Sequence, residues 1–297
     1  MIAAAITIGS NSTRMLTARC GCVLTPLVRG REETRLMMGL DENGFLTQDA
    51  MARTVAAVLR LQQQAAAAGA EQIALMATSA TRDARNADDF ARRLLAATGL
   101  EMTVLSGVEE AALAFRAVAG LSRRLVMDVG GGSTELTYGD RGVVLHASSA
   151  QVGASRLLKI QPIASLEDAR QVYELALQGL EKNVARLHPL LRGGCEGLTG
   201  LGGACTTAAA MLMASDGRTG DTDGYRVTLA QAQALLHMLA PLSPEARKAV
   251  PGLPESRVLH MPHGLCILIA VMTLTGLDAL TVSTRTNLDG YLMGLCS

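Results

Sequence analysis

One strand–turn–strand unit occurs twice in this 297-residue chain, and no other feature restricts its fold as strongly. Ala3 to Ile8 reads as a buried strand, followed by Gly9-Ser10-Asn11-Ser12 and a second strand, Thr13 to Arg19. Leu125 to Val129 reads the same way, followed by Gly130-Gly131-Gly132-Ser133 and Thr134 to Tyr138. Gly9 falls on Gly130, Ser12 on Ser133 and Thr13 on Thr134, a constant offset of 121 residues. Two similar halves, each opening on a hairpin, predict a duplicated two-domain α/β protein with a cleft between the halves. The expected domains are 1–120 and 121–297, with the terminal helix packing back on the first. Helical periodicity predicts helices over 49–68, 87–98, 109–118, 165–187, 206–214, 229–239, 243–250 and 263–274. Asn86 is expected to cap the second of these and Ser165, with Asp168, the fourth. Further strands are predicted over 72–77, 102–105 and 143–148.

The turns of the repeat have a chemistry of their own. Glycine lets main-chain N–H groups converge on an anion, and Ser or Thr adds hydroxyl donors. Three loops fit that description: Gly9-Ser10-Asn11-Ser12-Thr13, Gly130-Gly131-Gly132-Ser133-Thr134, and Gly200 to Thr206, where Gly202-Gly203 leads into a helix. None is a P-loop, since no Gly-Lys-Ser/Thr follows, and none has the spacing of a dinucleotide-binding unit. Asp128 ends a strand beside the second loop and is placed to hold a magnesium ion, which takes one or two carboxylates plus substrate phosphates. Glu135 lies across the hairpin and is read either as a solvated strand residue or as part of that site. Glu109 and Glu110 stand at a helix start. They either complement the helix dipole or supply a base that activates water. Thr78-Ser79 followed by Arg82 makes an anion clamp or an ordinary capped helix.

Composition removes several function classes. Net charge is zero, so the chain as a whole is not a basic nucleic-acid binder, and no DNA partner is expected. Only three of its 27 basic residues are lysines (Lys159, Lys182, Lys248); the rest are arginines, the side chain that grips phosphate in a bidentate fork. Cys20, Cys22, Cys195, Cys205, Cys266 and Cys296 have no zinc spacing and read as reduced thiols. The N-terminus lacks a basic leader, and the most apolar run, Cys266 to Leu274, is too short to cross a bilayer. A cytoplasmic protein without a membrane partner is expected.

These segments together resemble the exopolyphosphatase/guanosine pentaphosphate phosphohydrolase (Ppx/GppA) family. The resemblance runs in order through Ile8-Gly9-Ser10-Asn11-Ser12, Arg35-Leu36 to Gly39-Leu40, Ala77-Thr78-Ser79-Ala80-Thr81-Arg82, Ser106-Gly107-Val108-Glu109-Glu110-Ala111 and Asp128 to Leu136. Weaker echoes are Val152-Gly153 to Arg156, the Gly202-Gly203 loop, and Leu253-Pro254 to Arg257. It implies a duplicated actin-like fold (ribonuclease H-like, of the actin/sugar-kinase/Hsp70 superfamily) in a short, two-domain form. It also implies release of terminal phosphate from polyphosphate or guanosine pentaphosphate with Mg2+ or another divalent cation, by a homodimer. By position it makes Glu110 the catalytic base, with Asp128 and Glu135 organising metal and water. Arg82, Ser133 and the Gly9–Ser12 and Gly130–Gly132 backbones, together with Gly202 and Gly203, would hold phosphate.

The departures from the family pattern matter. Thr7 stands where relatives carry Asp, and the internal repeat independently aligns it with Asp128. Leu259 and Thr284 also replace aspartates, and Ala204 replaces a threonine. Three negative charges fewer make the site more receptive to polyanions and weaken its hold on metal. A catalytically weak protein that binds polyphosphate or guanosine tetraphosphate is therefore the alternative to a hydrolase. A small-molecule kinase of the same superfold is disfavoured by the Ser-Gly-x-Glu-Glu segment. Few aromatic residues are present to stack a guanine, which leans the substrate toward polyphosphate.

Overall fold

A computed structural model describes residues 1–118, 120 and 122–296. The chain divides into two compact units, Met1–Ala117 with Thr286–Ser297, and Val118–Arg285. The boundary expected from the repeat falls on Leu121, and the expected second domain ends on Ser297; both residues lie outside the described set.

In the first unit β1 (Ile2–Ile8) pairs antiparallel with β2 (Thr13–Arg19), which pairs with β3 (Thr25–Glu32). On its other side β1 runs parallel to β4 (Gln72–Ala77), which is followed by β5 (Met102–Val104). The order is β3-β2-β1-β4-β5. β1 is central and almost wholly buried, which is why, Thr7 apart, its residues are apolar on both faces rather than alternating. β3 was not legible in the sequence. It is an exposed edge carrying Pro26, Arg29, Arg31 and Glu32, a composition that blunts an edge against further pairing but hides it from a search for apolar alternation.

Helix Gln48–Ala67 covers one face of this sheet. Thr47 caps it by accepting from the Ala50 amide, and Ala50, Met51, Thr54, Val58, Leu61 and Ala65 form its buried stripe. Helix Ala87–Thr98 ends on Gly99 at φ 70°, the left-handed conformation that glycine adopts without strain. Asn86 does not cap that helix with its side chain. Its amide oxygen accepts from the Leu46 amide and its nitrogen donates to the Leu46 carbonyl, so a long-range tie has displaced the local one. On the opposite face, Leu288 and Leu292 of helix Asn287–Met293 pack among Ala3, Ala5, Leu16 and Ala18.

The second unit repeats this plan. β6 (Arg124–Val129), β7 (Thr134–Asp140) and β8 (Val143–Ala150) form an antiparallel meander. β9 (Leu198–Leu201), β10 (Arg226–Thr228) and β11 (Ala279–Val282) complete the sheet, in the order β10-β11-β9-β6-β7-β8. Apart from the added antiparallel β10, the strand order is that of the first unit, and the molecule has the duplicated actin-like α/β fold. Ser165 caps helix Leu166–Ala185 as predicted, accepting from the Asp168 amide. The helix predicted from 206 begins four residues earlier, as Gly202–Ser215, with Gly202 entering it at a left-handed φ of 86°. The apolar run near 266 lies in helix Met261–Thr275, which is buried on all sides from Met261 to Met272. Among the described residues no helix is long and apolar enough to cross a membrane.

Two histidines make stability depend on pH. His146, on β8, has its Nε2 buried with no hydrogen-bond partner among the described residues, and burial, with the Arg186 charge, lowers its pKa. His263 lies between the carbonyls of Gln161 and Leu259, at 2.8 and 3.1 Å. Those acceptors favour the charged ring, but burial outweighs them and lowers this pKa too. A lowered folded-state value means that the unfolded chain takes up protons first. Stability is therefore full above about pH 6.5, the value of a free histidine, and is lost as pH falls through the folded pKa values. The unfolding midpoint should drop between pH 7 and pH 5, with a shallower slope in His146→Gln.

Candidate functional site

The two turns of the repeat are built alike. In the first unit the Gly9 amide donates to the Ser12 carbonyl at 3.1 Å; in the second the Gly130 amide donates to the Ser133 carbonyl at 3.0 Å. A Cβ at Gly9 would lie 2.8 Å from the Ser12 oxygen, and one at Gly130 would lie 3.0 Å from that of Ser133, so both turns need glycine for a close approach.

Behind each turn the carbonyls are tied back. Those of Ser10 and Asn11 accept from the amides of Met37 and Arg35. Those of Gly130 and Gly131 accept from the amides of Ala154, Ser155 and Arg156, and Arg156 Nε donates to the Gly132 carbonyl at 2.7 Å. Arg35 and Arg156 are again separated by the offset of the repeat. The amides of Ser10, Asn11 and Ser12, and those of Gly131, Gly132 and Ser133, meet no main-chain acceptor among the described residues. Carbonyls engaged and amides spare is the polarity of an anion-binding turn.

Side chains of the first unit extend that pattern. The hydroxyls of Thr7 and Ser10 and the Nη2 of Arg82 are buried with no hydrogen-bond partner among the described residues. Each such group costs about 1–3 kcal/mol if it stays unpaired. Three near the end of β1 and the strand beside it argue for a ligand that accepts hydrogen bonds. Arg82 ends the short helix Ser79–Arg82, which follows β4, and its Nη1 donates to the Leu105 carbonyl at 2.6 Å. The same Nη1 lies 3.6 Å from Glu110 Oε2.

The two acidic residues at the start of helix Gly107–Val118 have separate roles. Glu109 is exposed and closes a capping box: its carboxylate accepts from the Ser106 amide at 2.7 Å, and its own amide donates to Ser106 Oγ at 3.2 Å. Those bonds hold its carboxyl below the usual range. Glu110 is 8% exposed and faces Arg82.

In the second unit Asp128 and Glu135 stand directly opposite each other in the β6–β7 ladder, which puts both carboxylates on one face. Glu135 is 2% exposed and accepts from Ser149 Oγ at 2.7 Å. Like charges in register repel, so the pair suits a hard cation that takes two carboxylates and completes its shell with water and phosphate. No group of three or more His, Cys, Asp or Glu that could hold a metal occurs among the described residues. The matching ladder position in the first unit is Thr7 opposite Arg14, a hydroxyl and a guanidinium in place of two carboxylates.

The third loop closes over Asp128. Gly202 has φ 86°, and a Cβ there would lie 2.5 Å from the Val129 carbonyl oxygen and 2.8 Å from Asp128 Oδ1. A Cβ at Gly203 would lie 1.7 Å from Arg257 Nη2, so the Arg257 guanidinium lies flat on that glycine. Burial and the Asp128 charge push the Cys205 thiol far up, which keeps it neutral there. The predicted residues thus form two groups. Gly9, Ser10, Asn11, Ser12, Arg82 and Glu110 gather in the first unit, and Gly130 to Ser133, Asp128, Glu135, Gly202 and Gly203 in the second.

Residue-by-residue reading missed three contributors. Ser155 has a buried hydroxyl with no hydrogen-bond partner among the described residues, and its amide holds the Gly131 carbonyl. In the sequence Arg257 stands out only as the end of the Leu253-Pro254 to Arg257 segment, with no sign of its place on Gly203. Asp223 reaches the segment that lacks its aspartate: its Oδ1 accepts from the Thr284 amide at 2.8 Å and from Ser283 Oγ at 3.0 Å. The Asp223 contact joins residues 60 apart and has no signature in the sequence.

Fold and site together define a duplicated actin-like α/β protein whose glycine turns present spare amides. The chain belongs to the Ppx/GppA phosphatase family, which it matches over residues 16–296. It is 32% identical over 293 residues to guanosine-5'-triphosphate,3'-diphosphate pyrophosphatase of Vibrio vulnificus (strain YJ016), a match covering 94% of this chain and 56% of that one. It therefore spans about half the length of this curated relative. The crystal structure of the Aquifex aeolicus Ppx/GppA family member superposes with a TM-score of 0.81 at 25% identity, covering 99% of this chain and 97% of that one. An exopolyphosphatase from Cytophaga hutchinsonii shares the fold, with a TM-score of 0.88 at 23% identity and coverage of 100% and 98%.

Proposed function

We propose that this protein hydrolyses the terminal phosphoanhydride bond of inorganic polyphosphate or of guanosine pentaphosphate. The observation that carries the reading is the set of spare donors, namely the amides of both glycine turns, the Thr7 and Ser10 hydroxyls and Arg82 Nη2. A condensed phosphate supplies the acceptors they lack. Family membership and the names of the Vibrio and Cytophaga relatives support the same substrate class.

In this reading Glu110 takes a proton from the attacking water, and Arg82, its neighbour at 3.6 Å, presents Nη2 to the phosphoryl oxygens. The new bond joins the water oxygen to the terminal phosphorus, and the bond to the bridging oxygen breaks. The turn amides stabilise the charge that builds on the transferred group and on the leaving phosphate. Asp128 and Glu135 would hold a divalent cation such as Mg2+, which when bound would neutralise phosphate charge.

The direct test is orthophosphate release from long-chain polyphosphate and from guanosine pentaphosphate, with and without magnesium. No release from either substrate with any divalent metal overturns the reading. Thr7 motivates a second reading, a weakly catalytic binder of the same polyanions. Thr7→Asp restores the carboxylate that the repeat places there and should raise turnover severalfold. Binding that is tight in the parent, with negligible turnover in both proteins, would favour the binder.

A further inference from the structure

Behind the first glycine turn lies an open cavity of about 500 Å³ lined by Glu33, Arg35, Met38, Gly39, Thr47 and Arg53. Three observations give it a chemistry. Arg35 has φ 47° and ψ 43°, a left-handed conformation that a side chain rarely adopts, so the fold holds this arginine there at a cost. Arg53 uses its Nε on the Thr34 carbonyl, at 2.8 Å, which fixes the guanidinium at the cavity wall. Glu33 lies 3.5 Å from both Arg31 and Arg35, two long contacts in which two guanidinium groups share one carboxylate, and Arg53 lines the same cavity. The seat is joined to the turn: the Arg35 amide holds the Asn11 carbonyl at 2.9 Å, and Arg31 Nε donates to Ser12 Oγ at 3.2 Å.

We propose that Arg35 and Arg53 form a second anion seat, which holds phosphate groups away from the reacting end of a long polyanion. The proposal rests on the phosphohydrolase reading and deepens it. The seat lies on the carbonyl side of the turn, opposite the spare amides. Only a ligand with phosphates beyond the terminal group reaches both: a long polyphosphate, or a nucleotide with phosphates at two positions. Arginine suits the task because its planar fork meets phosphate oxygens in pairs.

The test is calorimetric titration of the full chain with long-chain polyphosphate, tripolyphosphate and guanosine tetraphosphate. Arg35→Gly removes the cation yet keeps the amide that holds Asn11, and glycine accepts the left-handed backbone, so the fold is not put at risk. Arg53→Gln removes the second cation. Together they should weaken long-chain polyphosphate by about tenfold or more and leave tripolyphosphate within about twofold. Glu33→Gln, which releases Arg31 and Arg35, should tighten the long chain severalfold. Equal weakening of guanosine tetraphosphate assigns the seat to both polyanions; no change with the nucleotide assigns it to polyphosphate alone. Long-chain affinity unchanged in the double variant, or all three ligands weakened alike, overturns the seat. Orthophosphate release by the parent is scored separately. If the parent cleaves and the variants bind as it does, the seat alone falls; if the parent neither binds nor cleaves, the phosphohydrolase reading falls with it.

Discussion

Glu110→Gln should lower the rate of orthophosphate release roughly a thousandfold, within the range that a lost general base costs. The substitution keeps the shape of the side chain and removes only its charge and basicity. Glu110 is nearly buried and faces Arg82 at 3.6 Å, and glutamine fills the same volume, so a general collapse of the site is not expected. KM should stay level or fall, because a negative charge beside an anionic substrate has gone. A fall in turnover at unchanged KM marks an interaction made in the transition state alone. The neighbouring Glu109→Gln is the control. It loosens the capping box with Ser106 and should shift the unfolding midpoint while leaving turnover within a few-fold. A Glu110→Gln protein that turns over within tenfold of the parent would exclude this residue as the base.

Gly153→Ala is the second large effect expected, and it acts without touching substrate. Gly153 has φ −142°, so alanine meets no backbone strain. The obstacle is space: its Cβ would lie 2.4 Å from the carbonyl carbon of Gly132 and 2.5 Å from the carbonyl carbon and oxygen of Gly131. Those are main-chain atoms of the second turn, and no side chain is available to swing aside. The turn must move, and with it the amides of Gly131, Gly132 and Ser133. Overpacking of this kind costs about 1–3 kcal/mol of stability. A displacement near 1 Å in a positioned site costs about a hundredfold in rate. Unfolding by denaturant and turnover measured on one preparation check both. Full activity at unchanged stability would show that the turn does not depend on this contact.

Much of this was legible because it is local. A turn that needs glycine for a close approach writes Gly9 and Gly130 into the chain, and a strand buried on both faces writes the apolar runs Ile2–Ile6 and Leu125–Met127 into β1 and β6. Helix stripes and the Ser165 cap are likewise set by neighbours three and four residues away. The separate roles of Glu109 and Glu110 could not be read, since both occupy the same helix start and differ only in what tertiary packing sets beside them. Edge strand β3 was missed because polar edges lack the alternation that betrays a half-buried strand.

The amino-acid order alone therefore determined the duplicated α/β plan, the three glycine loops and the residue types gathered around them, since each rests on contacts a few residues apart. Only the tertiary structure decided which polar groups are left without partners, that Arg82 faces Glu110, that Asp223 reaches the 283–284 segment, and that Arg35 is held in a left-handed backbone behind the first turn. Burial and hydrogen-bond partners are properties of the space around a side chain, and that space is filled by residues far away along the chain.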